Sequence, residues 1–283
     1  MKIDIKINSG TLTSIFLLKI YIRVFQKVFM KINYRLLVVL LLVVNVVKAE
    51  LADVVEKLKP SVVGVGIYTP IGQPKNILRG TGFVVGNGHY VVTNNHVLPK
   101  SLDKKLLQKM AVFVGSGKTA KVRQADIVAR DEYYDLALLK ILGSPLPAMK
   151  LANADNYKRE GSYIAFTGFP IGAVLGLYPV THRGIISSIT PAIVPVSDAS
   201  KISIRMLKAM KNPYMVYQLD ATAYPGNSGS AMYDVNTGEV IGIINKVFVQ
   251  QSKEAVISKP SGITYAIPVK HLHDLLEKHQ INK

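Results

Sequence analysis

The chain has 283 residues, of which 49% are hydrophobic, and it carries 35 Lys and Arg against 18 Asp and Glu, a net charge of +17. Residues 1–49 hold eight Lys and Arg against one Asp, so the rest of the chain is much less basic. The chain contains no cysteine, which excludes thiol catalysis, cysteine-based metal sites and disulfides, so its core alone must hold the fold together.

The N-terminal segment has the pattern of a secretory signal peptide. Lys31 and Arg35 supply a basic region, residues 36–47 supply an apolar run, and residues 47–49 (Val-Lys-Ala) resemble a small-x-small cleavage site. The apolar run is shorter than the ~20 residues that cross a membrane. We therefore expect a signal peptide over residues 30–49 that is cleaved after Ala49, and a periplasmic or secreted protein.

Two alternatives for this segment stay open. In the first, the segment is retained as a membrane anchor. In the second, it is an organelle transit peptide, although its low Ser content is not typical of one. Because the signal pattern begins at Met30, residues 1–29 are interpreted as an extension from a misassigned start codon. A membrane is an expected partner only if the N-terminal segment is retained.

The sequence that follows has the pattern of an all-β domain closed by short helices. Short β-branched runs alternate with Gly, Pro and Asn, which favours a barrel or a sandwich. The predicted strands are Val62–Tyr68, Gly82–Val85, Tyr90–Thr93, Ala111–Val114, Leu136–Ile141, Ser162–Phe166, Gly184–Ile189, Met215–Leu219, Val240–Ile244 and Thr264–Ile267. Apolar residues at helical spacing predict short helices at Leu51–Leu58 and Val269–Glu277.

Three polar residues stand where strands end or turns begin. His96 follows a strand-like run, Asp135 immediately precedes one, and Ser228 lies in the glycine-bracketed run at 224–230 (YPGNSGS). They follow one another at intervals of 39 and 93 residues, in the chymotrypsin-type order of His, Asp and Ser. Each alone would be an ordinary core or turn residue, but together they predict a catalytic triad.

The chemistry of acyl transfer needs these residue types. A serine hydroxyl is a weak nucleophile until a base takes its proton, and histidine does this near neutral pH. An aspartate fixes the imidazole tautomer and stabilises the imidazolium. The predicted oxyanion hole is the backbone of Gly226, Asn227 and Ser228, with the N–H groups of Gly226 and Ser228 as donors. We expect no cofactor and no metal.

The motifs around these residues resemble those of the HtrA (DegP-like) family of trypsin-fold serine proteases. The similarity covers most of residues 50–270. The matching segments are 51–63, 80–85, 181–188, 238–243 and 262–268. The resemblance implies an all-β, chymotrypsin-like double β-barrel with short N- and C-terminal helices. It also implies that the barrels divide near residues 150–160, with the active site in the cleft between them.

This resemblance gives a protease domain over residues 50–268, followed by a C-terminal helix and tail over residues 269–283. Most HtrA proteins continue into PDZ domains at this point, and no PDZ domain is expected here. A second departure is the Gly-Ser-Ala that follows the nucleophile, where the family usually has Gly-Gly-Pro. Because glutamyl endopeptidases of the same fold also have Gly-Asn-Ser-Gly-Ser, we expect this change to be tolerated.

The resemblance also locates a specificity pocket. The residues expected to line it are Thr222, Ala223 and Tyr224 on the floor and Asn245, Lys246, Val247 and Gly262 on the walls. The floor has no Asp, which argues against Arg or Lys at P1. Ile244 stands where glutamyl endopeptidases have a His, which argues against Glu. We therefore expect small or aliphatic P1 residues, with Lys246 as an unresolved complication.

The remaining histidines and a basic run have simpler interpretations. The histidines interpreted as surface residues, and not as metal ligands, are His89, His271, His273 and His279. His182 is assigned a structural role. Residues 201–211 are basic but lack interleaved aromatic residues, so no nucleic-acid partner is expected.

The expected function is a serine endopeptidase that acts on unfolded or selected proteins of the cell envelope or the extracellular space. A homotrimer built partly by residues 50–65 is the assembly that the resemblance implies. The alternative is a weakly active or inactive protease-fold protein that binds its partners as a holdase or scaffold. HtrA-like proteins can rest with a misformed oxyanion hole, and residues 197–213 form an enlarged segment before the nucleophile.

Overall fold

The computed structural model describes residues 17–28, 50–170, 176–192, 213–245 and 263–282. Residues 17–28 form helix α1, whose side chains are exposed, within a unit that spans Met1–Lys48. Over the described ranges, no helix is long and apolar enough to cross a membrane. The expected signal peptide at residues 30–49 lies outside the described residues. The second unit, Ala49–Lys283, contains the predicted site.

The first half of this unit is a closed antiparallel barrel. Its strands are β1 (Val62–Tyr68), β2 (Asn76–Val85), β3 (Tyr90–Asn94), β4 (Lys109–Val114), β5 (Lys121–Asp131) and β6 (Leu136–Ile141). They close in the order β1-β2-β3-β6-β5-β4. Helix α2 (Leu51–Leu58) precedes the barrel, and its buried Val54 and Leu58 lie one helical turn apart.

The second half repeats this architecture. Its strands are β7 (Tyr163–Gly168), β8 (Val180–Pro191), β9 (Met215–Asp220), β10 (Ala231–Asp234), β11 (Val240–Asn245) and β12 (Ile263–Pro268). They close in the order β10-β11-β12-β9-β8-β7. Helix α3 (Val269–Lys278) follows directly and buries Leu272, Leu275 and Leu276 on one face. The expected chymotrypsin-like double barrel with short terminal helices is confirmed.

Each predicted strand falls on an observed strand, but β5 and β10 are absent from the prediction. Within β5 only Ala125 and Ala129 are buried, and charged residues occupy much of the remainder, so the strand carries little hydrophobic signal. Strand β10 is only four residues long, too short to show a period. Both strands are stabilised by pairing with other strands, β5 with β4 and β6 and β10 with β7, which the composition of the strand itself does not record.

An apolar cluster joins the two barrels to both helices. Phe83 and Leu138 of the first barrel pack in one buried cluster with Tyr233 and Ile243 of the second, and with Leu276 of α3. A fully buried side chain of this size contributes about 1.5–3 kcal/mol. The cluster therefore holds the barrels against each other and fixes the cleft in which their loops meet.

Candidate active site

Asp135 is held by its backbone as well as by its carboxylate. It lies immediately before β6, is buried, and has a φ of +55°, a left-handed conformation that Asp adopts more readily than most residues. Its carbonyl oxygen accepts hydrogen bonds from the N–H of Asn95 and from the side-chain amide of Asn94, each at 3.1 Å. The end of β3 thus fixes the orientation of the residue.

The Asp135 carboxylate is bound to His96 through both oxygens. Oδ1 accepts the backbone N–H of His96 at 2.9 Å, and Oδ2 lies 2.6 Å from Nδ1 of the ring. Oδ2 also accepts the side-chain amide of Asn245 at 2.9 Å. Because an ionised carboxylate only accepts, His96 carries a proton on Nδ1 and its Nε2 is left to act as a base.

The predicted base is both anchored and accessible. His96 lies in a short 3₁₀ turn, Asn95–Val97, which directly continues β3. Its side chain is 34% exposed, whereas that of Asp135 is 4% exposed. The buried acid therefore orients a ring that stays partly exposed.

The nucleophile loop begins with a tight turn. The N–H of Asn227 donates to the carbonyl of Tyr224 at 3.0 Å, and the residues between are Pro225 and a Gly226 with a φ of +104°. Pro at the second position and a positive φ at the third are the signature of a type II turn. The turn is followed at once by the buried Ser228.

Two backbone donors of this loop are free. The N–H groups of Gly226 and Ser228 form no hydrogen bond with any described residue, whereas the N–H of Asn227 is used by the turn. Of the three predicted oxyanion-hole residues, Asn227 therefore contributes no backbone donor. A pair of unpaired N–H groups beside a serine is suited to bind an oxyanion.

Thr81 of the first barrel anchors this loop of the second, a role that the sequence analysis missed. Its N–H donates to the carbonyl of Ser228 at 2.9 Å, and its hydroxyl donates to the carbonyl of Gly226 at 2.7 Å. The same hydroxyl accepts the N–H of Phe169 at 3.0 Å. Thr81 therefore binds the carbonyl groups of both residues that flank Asn227.

The structure brings Ser228 close to the His96 turn but does not join the two side chains. A Cβ placed on Gly80 would lie 2.7 Å from Val97 and 2.9 Å from the carbonyl of Ser228, so one strand contacts both segments. The Ser228 hydroxyl forms no hydrogen bond with any described residue, including His96. Catalytic hydrogen bonds are often long without substrate and shorten when it binds.

The predicted pocket floor is ordered by β12. Thr222, Ala223 and Tyr224 are half-buried. The N–H of Ala223 donates to the hydroxyl of Thr264 at 3.0 Å, and that hydroxyl donates to the carbonyl of Ala221 at 2.6 Å. The segment before the nucleophile is therefore attached to a barrel strand.

Asn245, predicted on the pocket wall, has a second role that the sequence analysis missed. Its side chain is fully buried and donates to Asp135 from the end of β11. The other predicted wall residues, Lys246, Val247 and Gly262, lie outside the described residues, as do residues 197–212 of the enlarged segment.

Two histidines interpreted as surface residues are in fact buried. His271 stacks on Tyr134 at a centroid distance of 3.9 Å, and His273 Nε2 lies 2.8 Å from the carbonyl oxygen of Ala152. Burial lowers the pKa of His271 to about 4. The interpretation as surface residues was wrong because α3 packs His271 against Tyr134 and Tyr214 and His273 against Ala152, so the helix buries a wider face than its leucines alone. Within the described ranges, no cluster of three or more His, Asp or Glu could hold a metal.

Comparison with known proteins identifies the family of the chain. A family model described as "Trypsin-like peptidase domain" matches residues 80–243. The chain belongs to the trypsin-like peptidase family. Its relatives place it among the HtrA proteins. A "Probable periplasmic serine endoprotease DegP-like" of Pseudomonas fulva (strain 12-X) is 27% identical over 199 residues, which are 70% of this chain and 34% of that protein.

A vertebrate protein and a solved structure extend the comparison. "Serine protease HTRA1A" of Danio rerio is 29% identical over 231 residues, 80% of this chain and 40% of that protein. The "Crystal structure of the serine endoprotease from Yersinia pestis" is similar with a TM-score of 0.56 and 25% identity, over 82% of this HtrA chain and 67% of that one. The chain spans about a third of the length of the curated relatives it matches.

Proposed function

We propose that this HtrA protein is a serine endopeptidase in which Ser228 is the nucleophile, His96 the general base and Asp135 the residue that orients the base. The observation that supports this most strongly is the 2.6 Å contact of His96 Nδ1 with Asp135 Oδ2, together with free N–H groups at Gly226 and Ser228. Family membership agrees with the same chemistry.

Acylation follows from this arrangement. Nε2 of His96 takes the proton of the Ser228 hydroxyl as its oxygen attacks the carbonyl carbon of the peptide bond. The carbonyl oxygen becomes an oxyanion and accepts the N–H groups of Gly226 and Ser228. His96, now cationic beside the Asp135 carboxylate, gives its proton to the leaving amine, and the C–N bond breaks. The acyl group remains on Ser228.

Deacylation repeats these steps with water. Nε2 of His96 takes a proton from a water molecule that attacks the acyl carbon, and the same two N–H groups stabilise the second oxyanion. His96 then returns the proton to the Ser228 oxygen as the ester bond breaks. The products are the free carboxylic acid and the original hydroxyl, so the cycle needs no cofactor.

For the substrate, we propose proteins with a small or aliphatic P1 residue. Thr222, Ala223 and Tyr224 bring no charged side chain to the pocket floor, and buried Asn245 brings none. A peptide series that differs only at P1 tests this proposal. The expected order of kcat/KM places Val and Ala well above Arg and Glu, and a preference for Arg or Glu would contradict the assignment.

For the biological setting, we propose that the protein degrades unfolded or selected proteins in the periplasm or outside the cell, with a homotrimer as its assembly. The support is the signal-peptide pattern before Ala49 and the word "periplasmic" in the names of several relatives. The mass of the full-length protein by light scattering, together with the N-terminal residue of protein recovered from the periplasm, tests both points.

A second function is favoured by one observation. The Ser228 hydroxyl forms no hydrogen bond with His96, a geometry that is also compatible with a protease-fold protein that rests inactive and binds clients as a holdase or scaffold. Suppression of the aggregation of a heated client protein by the Ser228→Ala variant would support this alternative.

The experiment that separates the two compares fluorogenic casein hydrolysis by the full-length protein, its Ser228→Ala variant and its Ser230→Ala variant. Ser230 is a matched control because it is a buried serine two residues from the nucleophile. The endopeptidase proposal expects hydrolysis by wild type and Ser230→Ala and at least a 10³-fold loss in Ser228→Ala. Hydrolysis by Ser228→Ala at the wild-type rate, or none by folded wild type, would contradict it.

A further inference from the structure

His182 of β8 lies behind the nucleophile loop with its ring held by two aromatic neighbours. It stacks on Phe166 of β7 at a centroid distance of 5.0 Å and an interplanar angle of 22°. Tyr224, at the start of the nucleophile loop, lies tilted against it at 6.1 Å. The ring is therefore constrained both by the barrel and by the loop.

The polar edge of this ring meets the side chain of Asn227. Nε2 of His182 lies 3.4 Å from Nδ2 of Asn227. An amide nitrogen only donates, so in this orientation of the Asn227 amide Nε2 is the acceptor and the ring is neutral with its proton on Nδ1. The contact joins β8 to the residue immediately before the nucleophile.

The other end of the Asn227 side chain has no polar anchor. Its Oδ1 is buried without a hydrogen bond to any described residue, and the same holds for the Ser230 hydroxyl. A Cβ on Gly168 would lie 2.7 Å from Oδ1 and 2.2 Å from the Ser230 oxygen, so the amide fits only because residue 168 is glycine. Among the described residues, His182 is the one hydrogen-bond partner of this buried amide.

Asn227 lies between the two residues that supply the predicted oxyanion-hole donors. Its neighbours Gly226 and Ser228 carry the two free N–H groups, and their carbonyls are held by Thr81 of the other barrel. Thr81 fixes the loop from the first barrel, and the Asn227 side chain is its polar connection to β8. Without the contact to His182 the loop would lose this polar connection, and the peptide groups on either side of Asn227 would be held less firmly.

We propose that His182 is a positioning residue of the oxyanion hole: by accepting a hydrogen bond from the Asn227 side chain it holds the N–H groups of Gly226 and Ser228 in line with the substrate oxyanion. This inference rests on the proposed peptidase function. It concerns orientation and not proton transfer, since His182 touches neither the nucleophile nor the base in the described structure.

The proposal has a consequence for pH. Burial lowers the pKa of His182, and no charged group contributes to the shift. The titratable side chain that faces its ring is Tyr224, Phe166 on β7 is apolar, and the neighbouring Arg183 lies over Tyr163 instead. Protonation would place an Nε2–H against the Asn227 NH₂ group, so the hydrogen bond breaks and the loop loses its polar connection to β8.

The test uses the full-length protein and three variants. His182→Phe keeps the stack on Phe166 and removes the acceptor, His182→Gln restores an acceptor that does not titrate, and His279→Phe is an exposed control. We expect kcat of His182→Phe to fall about tenfold with KM nearly unchanged, recovery to within about threefold in His182→Gln, and no change in His279→Phe. The acid limb of the wild-type kcat profile should contain an additional drop of about tenfold that is absent from His182→Gln.

A second measurement does not depend on activity. In ¹⁵N spectra of the Ser228→Ala protein at neutral pH, the proposal expects Nε2 of His182 to be unprotonated and the Asn227 side-chain amide to shift in His182→Phe. Equal kcat in His182→Phe and wild type, or an Nε2-protonated ring with an unmoved Asn227 amide, would overturn the proposal. An inactive wild type with the expected spectra would instead contradict the peptidase function while the His182–Asn227 contact stands.

Discussion

The side-chain amide of Asn245 donates to Oδ2 of Asp135 at 2.9 Å, across 110 residues of sequence and from one barrel to the other. The same oxygen contacts Nδ1 of His96 at 2.6 Å. The second barrel therefore contributes to the orientation of an acid–base pair that belongs entirely to the first. Correct docking of the two barrels is thus coupled to the orientation of the acid as well as to the placement of the nucleophile.

Removing this amide should impair catalysis. Asn245→Ala takes away a hydrogen bond to a charged group, which is worth about 1.5–3 kcal/mol, so we expect kcat to fall about 10- to 100-fold with little change in KM. The measurement is steady-state hydrolysis of a fluorogenic peptide. Asn153→Ala, an exposed asparagine, should behave as wild type. A wild-type kcat in Asn245→Ala would show that the acid needs no support from β11.

The Thr81 hydroxyl should matter to the loop that it anchors. Thr81→Val preserves the shape of the side chain but removes the bonds to the Gly226 carbonyl and the Phe169 N–H. Because the loop then loses one of its fixed points, we expect kcat to drop about tenfold. Thr81→Ser keeps the hydroxyl and should retain most of the activity. Equal losses in the two variants would mean that the methyl group, not the hydroxyl, is what matters.

Gly229 should be intolerant of any side chain. Its φ is +89°, and an added Cβ would lie 2.1 Å from the Thr81 carbonyl oxygen and 2.4 Å from the Thr93 hydroxyl. We expect Gly229→Ala to lower the free energy of unfolding by about 2–5 kcal/mol, measured in urea.

Gly161→Ala is the matched control for this variant. Gly161 has a similar φ of +78° but no atom within 4 Å of the added Cβ. The free energy of unfolding of Gly161→Ala should fall only by the cost of a left-handed backbone conformation, about 1–2 kcal/mol. If the two alanine variants lose the same stability, the close approach of the Thr81 strand to the nucleophile loop is wrong.

His271 should make the fold sensitive to acid. Burial lowers its pKa to about 4, against 6.5 in the unfolded chain, so the unfolded state binds the proton first as the pH falls. Stability from this group is complete above about pH 6.5 and decreases by about 3 kcal/mol as the pH approaches 4.

The variant His271→Phe isolates this effect. Both ring nitrogens of His271 are buried without a hydrogen bond to a described residue, and Phe can keep the stack on Tyr134. We expect the variant to be at least as stable as wild type at pH 7 and to lose less stability between pH 6.5 and pH 4.5, as measured by urea unfolding. An unchanged pH dependence would show that another group is responsible.

Local sequence patterns were sufficient to predict the strands whose residues alternate between apolar and polar or are all apolar. β1, β3 and β11 are nearly fully buried, and their β-branched runs predict them directly. The order and spacing of His96, Asp135 and Ser228 likewise reflect local motifs. What local patterns could not supply is the partner of a strand such as β5, whose stability comes from neighbours and not from its own composition.

The roles of the residues that support the site could not be predicted from local patterns either, because each acts on a residue that is distant in sequence. Asn245 acts on Asp135, Thr81 on Gly226 and His182 on Asn227, over separations of 110, 145 and 45 residues. Each is a strand residue whose partner lies in a distant segment, so its role cannot be predicted from the sequence around it. His271 was misjudged because burial of α3 depends on the aromatic side chains of another segment.

The central claim is that Ser228 is an activated nucleophile, and the most direct measurement is the site of reaction with a fluorophosphonate. The full-length protein would be labelled at neutral pH, digested and mapped by mass spectrometry, with His96→Ala as the variant that lacks the base. The account predicts a single adduct on Ser228 and a loss of labelling in His96→Ala. An adduct on Ser230 or another hydroxyl, or equal labelling of Ser228 without His96, would contradict it.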